Sequence, residues 1–106
     1  MRITSNKRIK EFKIWLVEQG KNPKVAKDMC SRVIRVESEF KKSRPEFTLD
    51  LIFAEDKGQS IKKMFLPYGR NLPDEIDLPR GKSIYPIANA VQWYFKFLEL
   101  SENANP

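Results

Sequence analysis

At 106 residues the chain is one domain's worth, able to bury roughly two-thirds of the surface its unfolded form exposes, and 41% hydrophobic with 32% charged residues describes a globular protein rather than a disordered one. Cys30 is the sole cysteine and there is no histidine, which excludes an internal disulfide, the usual imidazole base or metal ligand, and every Ser/His or Cys/His pairing. The net charge of +6 is unevenly spread: residues 1–44 hold 13 basic and 5 acidic side chains, residues 45–106 only 7 and 9.

Charge gathered in one part of a chain steers polyanions toward it, although basic faces also serve solubility. No signal-like leader or apolar run of about 18 residues is visible, so the expectation is a cytoplasmic protein that spans no membrane.

Residues 5–19 read as a first helix, with Ile9, Phe12, Leu16 and Gln19 at helical spacing, Trp15 beside them and Gly20 as the stop. Asn22 followed by Pro23 restarts the chain, because Asn caps an orphaned amide while Pro at the first helical position forfeits no bond. The second helix runs from about 23 to 42, before Pro45. Thr48 caps a short helix with Leu49, Ile52 and Phe53, ended near Gly58, and Ser60 caps another with Ile61, Met64 and Phe65 before Pro67. Residues 67–82, rich in proline and glycine, read as an irregular connection, Ser83 caps a last helix to about 100, and 101–106 reads as a flexible tail or the start of a linker. The expectation is one all-α domain over 1–106, a four- to five-helix bundle.

At 100° per residue the second helix gathers Val25, Met29, Val33, Val36 and Phe40 into a core sector about 80° wide. Lys24, Lys27, Ser31, Arg35, Ser38 and Lys42 fall opposite, a stripe about 27 Å long at about 1.5 Å per residue, uninterrupted by acid. Asp28 and Glu39 lie at its edges, spaced to pair with Lys24 or Lys27 and with Arg35. An amphipathic helix needs a polar outside in any case. Serine is a poor helix former, however, and small hydroxyls between cations suit a face that lies close to phosphates.

The last helix is apolar on most sides, with Ile84, Ile87, Val91, Tyr94, Phe95 and Leu98 as its core sector. Its polar sector is Tyr85, Asn89, Gln92 and Lys96. Asn and Gln pair bidentately with adenine in a major groove, and Tyr and Lys suit phosphate; a central helix also needs one wet edge.

No catalytic, cofactor or metal constellation is present. Asp74, Glu75 and Asp77 lack the spacing of a calcium loop and read as solvated, and no phosphate-cradling glycine pattern occurs. Cys30 reads as a small hydrophobe, and Trp15, Trp93 and Tyr94 as core before base-stacking platforms. The competing reading is a protein-interaction module in which Trp93, Phe97 and Leu100 dock a partner or a further domain.

The order of elements, "FKIWLVEQG", an Asn-Pro restart, a long basic helix, short helices and a final "YPIANAVQWYFKFL", resembles the SAM-like N-terminal core-binding domain of phage integrases and other tyrosine recombinases. That resemblance implies a bundle forming half of a clamp around double-stranded DNA, with the second and last helices toward the major groove, used in site-specific recombination and DNA integration. It implies no catalytic residue in this domain and a catalytic domain beyond it. The DNA-binding residues expected are Lys24, Lys27, Ser31, Arg35, Lys42, Tyr85, Asn89, Gln92 and Lys96, with about five phosphate contacts and a log–log salt slope of about −4 to −5.

Overall fold

The computed structural model of the chain describes residues 5–103, with side chains from residue 8 to residue 101. Helix α1, Ser5–Glu18, ends as its glycine dictates: Gly20 has a φ of 95°, its N–H reaches Val17 O, and Lys21 N–H reaches Leu16 O, both at 3.0 Å. These two bonds satisfy carbonyls the helix end would leave open. Helix α2, Pro23–Lys41, starts with Asn22 Oδ1 accepting the Lys24 N–H at 2.8 Å. Helix α3, Leu49–Asp56, is capped by Thr48 Oγ1, which accepts the Leu51 N–H at 3.0 Å.

Helix α4, Gln59–Phe65, departs from expectation at its start, since Ser60 lies inside it rather than capping it. The carboxylate of Asp56 instead accepts the N–H groups of Gly58 and Ser60, at 2.9 and 3.2 Å, and the chain reverses through Gly58 at a φ of 81°. A turn of 3-10 helix, Gly81–Ser83, then leads into helix α5, Ile84–Asn103, which continues past the expected end near 100. The remaining tail residues, 104–106, lie outside the described residues. Among the described residues there is no strand, so the chain is an all-α bundle of five helices.

Helix α5 is the centre, packed on all four other α-helices and most broadly on α2. Tyr94, fully buried, is the hub: Phe12 meets it edge-on at 5.1 Å and Phe97 lies at 5.9 Å. Its hydroxyl donates to Asp50 Oδ1 at 2.5 Å, and Asp50 also faces Arg8 at 3.4 Å. Burial, then the Asp50 carboxylate, hold the phenol well above its ordinary range. Each large side chain buried here stabilises the fold by about 1.5–3 kcal/mol.

The buried sector of α2 is Ala26, Met29, Cys30, Val33, Val36, Glu37 and Phe40. Val25, expected in the core, is 43% exposed, because the buried arc is turned by about 40° from the expected one. The small Ala26 and the carboxylate Glu37 complete the arc instead. Glu37 is 3% exposed and accepts the Leu49 N–H at 2.8 Å, so a buried carboxyl group on α2 takes up an orphan donor at the start of α3.

Of the connection expected to be irregular over 67–82, residues 67–80 form no helix or strand while Gly81 and Lys82 enter the 3-10 turn, and Leu72, Ile76 and Leu78 are buried in the core. Arg80 folds back to donate to the carbonyls of Ile76, Leu78, Leu72 and Pro73, at 2.8, 2.6, 3.4 and 2.9 Å. Asn71 Nδ2 donates to Lys63 O at 2.9 Å and to Leu66 O at 3.2 Å. Arg80 thus satisfies carbonyls of a stretch without regular ladders, and Asn71 takes up two carbonyls left open at the end of α4. No described helix is long and apolar enough to cross a membrane.

Candidate nucleic-acid interface

Lys24, Lys27, Ser31, Arg35, Ser38 and Lys42 are all exposed, opposite the buried arc of α2. The observed arc, like the expected one, lies about 20° from diametric opposition to the stripe, so the cations stand on the solvent side of α2. Since α2 meets α5 through its buried side, the stripe points away from α5.

The two ends of the stripe differ. Among the described residues Lys24, Lys27 and Arg35 form no ion pair within 4.0 Å, and Asp28 pairs with neither lysine expected of it. Lys42 is otherwise placed: its ammonium contacts Glu39 Oε2 at 2.8 Å. Glu39 Oε1 accepts the Asp77 N–H at 2.9 Å. The Lys42 ammonium, then the Asp77 N–H, hold the Glu39 carboxyl below the ordinary glutamate range, and Glu39 in turn raises Lys42. Glu39 therefore bonds Lys42 and the connection and also feels the charge of Arg35 without an ion pair to it, and Lys42 is a neutralised end of the ridge. The part that forms no ion pair runs from Lys24 to Arg35, about 17 Å at about 1.5 Å per residue, longer than the roughly 12 Å width of a B-DNA major groove.

On α5, Asn89, Gln92 and Lys96 are exposed and, with Trp93, border one shallow hollow. Tyr85, 37% exposed, leans its ring on Tyr68 at 5.6 Å and stands apart from them. The ridge on α2 and the polar face of α5 are separate surfaces, because α2 shows its stripe to the side away from α5. They approach at one place: Lys21, beside the Asn22 cap, lies over the Trp93 ring at 4.4 Å, and Lys96 lies over the same ring at 5.1 Å. Lys21 has no helical register to reveal it, so sequence periodicity missed it.

Of the residues grouped by the interaction-module reading, Phe97 is buried among Phe12, Trp15 and Tyr94, Trp93 is half-buried, and only Leu100, at 44%, is open. Cys30 is buried, and burial raises its thiol above the ordinary value, which keeps it protonated at neutral pH. Asp74, Glu75 and Asp77 are exposed. The described residues contain no cluster of three or more His, Cys, Asp or Glu able to hold a metal. No protein-family model, curated protein or solved structure matches the chain.

Proposed function

We propose that this chain binds double-stranded DNA, chiefly through phosphates, as the core-binding domain of a site-specific tyrosine recombinase. The observation that carries the reading is the ridge of Lys24, Lys27 and Arg35, free of ion pairs among the described residues and exposed along one side of a 19-residue helix. The helix sets these cations at a fixed spacing along a phosphate row, and Ser31, between Lys27 and Arg35, donates without bulk. The order of helices and the basic second helix support the recombinase part of the proposal through the resemblance already described.

Lys96 adds a phosphate contact, and Asn89 and Gln92 supply base-reading amides on a second surface. With Lys42 engaged by Glu39, about four phosphate contacts remain, so log affinity falls against log salt with a slope of about −4. Titration of a labelled duplex at several salt concentrations tests this. A slope near zero, or no binding at low salt, removes the proposal.

A further inference from the structure

Trp93 lies on the border of the α5 polar face, half-buried, with its ring 5.8 Å from Trp15. Two ammoniums reach it from different parts of the chain: Lys21 from the turn before α2 and Lys96 from the next turn of α5. Their distances from the ring place the two like charges within about 10 Å of one another, where they repel weakly through water. Neither forms an ion pair among the described residues. Asn89 and Gln92 border the same hollow, each offering both a donor and an acceptor.

An aromatic face, two uncompensated cations beside it and two amides at its rim suit a ligand with a flat ring, a hydrogen-bonding edge and a nearby negative charge. A nucleotide has all three. Intact duplex DNA keeps its base faces inside the stack, whereas an unpaired nucleotide presents one. We propose that Trp93 is the stacking platform for one unpaired nucleotide of the DNA, with Lys21 and Lys96 on its flanking phosphates and Asn89 and Gln92 at the base edge. This rests on the DNA reading and narrows its substrate to DNA in which a base is free of its partner beside the duplex. As the base arrives, the ammoniums swing on their four-carbon stems from the ring to the phosphates, exchanging exposed cation–π contacts for stacking and charge-assisted bonds.

The test compares a blunt duplex with the same duplex carrying a short oligothymidine overhang. It uses the native protein, Trp93→Leu, and a Lys21→Ala/Lys96→Ala variant whose changes lie at the surface. The native protein is expected to bind the overhang about tenfold or more tighter than the blunt end, with quenched tryptophan fluorescence. Trp93→Leu is expected to bind both DNAs alike, and the double variant to lose most of the preference while unfolding at the native urea concentration. Equal binding of both DNAs by the native protein overturns the platform and leaves the duplex reading standing. Binding of neither overturns the duplex reading itself. An undiminished preference in both variants overturns the assignment of these residues; should Trp93→Leu not fold, the double variant and the native quenching decide.

Discussion

The two ends of α2 are both rich in charge and do different work. Toward its C-terminus every charge is engaged with the fold: Glu37 takes the Leu49 N–H, Glu39 takes Lys42 and the Asp77 N–H, and Lys41 donates to Phe47 O. Lys24 and Lys27 near its N-terminus, and Arg35 past its midpoint, have no ion-pair partner among the described residues. Acids are recruited where the helix must pin α3 and the 67–80 connection. The outward side keeps one acid, the exposed Asp28, which forms no ion pair among the described residues. Surface charge on one helix thus separates into a part that organises the chain and a part left for an external counterion.

Reversing the outward end should give the largest effect. Lys24→Glu/Lys27→Glu/Arg35→Glu is expected to reduce duplex affinity more than about a hundredfold at moderate salt, by replacing attraction with repulsion at three phosphates. Its urea midpoint should stay near the native one, since exposed substitutions shift stability by about 0.5 kcal/mol or less. Loss of folding in this variant would mean that the ridge is structural after all.

The inward end should respond the other way. Glu37→Ala strands the buried Leu49 N–H, and an unfolding cost of about 1–3 kcal/mol is expected, read from denaturant midpoints, with the salt slope of DNA binding unchanged. Gly58→Ala places a Cβ within the ring of Phe95 at a φ of 81°, where L side chains are strained, and a loss of about 2 kcal/mol is expected by the same measurement. A neutral Gly58→Ala would show the α3–α4 turn to be far more yielding than its contacts imply.

The smallest effect is on pH. Glu39 is held below its ordinary value of 4.5, so the stability it adds is complete above that value and is lost as pH falls through the lower folded value. Glu39→Gln should therefore flatten the acid limb of the stability profile below about pH 4.5, measured by denaturation across pH, while leaving neutral stability slightly reduced. An unchanged acid limb would show that the Lys42 and Asp77 contacts do not hold in solution.

Helix limits were legible where a single residue decides them: Gly20 stops α1, Asn22 and Pro23 start α2, and Thr48 starts α3. The stripe was legible too, because it depends only on helical period. The rotation of the α2 core was not. Hydropathy favours Val25 over Ala26 and rejects Glu37, whereas packing accepts a small side chain and a carboxylate with a waiting amide. Asp56 acting in place of Ser60 and Glu39 bonding Lys42 are choices among local partners that spacing alone leaves open, whereas Lys21 meeting Trp93 depends on where separate segments lie in space. The buried Leu72, Ile76 and Leu78 escaped notice for the same reason, since Arg80 and Asn71 supply bonds that no local pattern announces.

The claim that the outward charges of α2 exist for DNA is tested most directly by comparing salt slopes for duplex binding among the native protein, Lys42→Ala, and Lys24→Ala/Lys27→Ala/Arg35→Ala. The native slope is expected near −4, with Lys42→Ala close to it and the triple variant near −1, because each phosphate contact removed takes about one unit from the slope. A triple variant with the native slope, or a Lys42→Ala variant that loses as much as the triple, would contradict the division of α2 into an inward and an outward end.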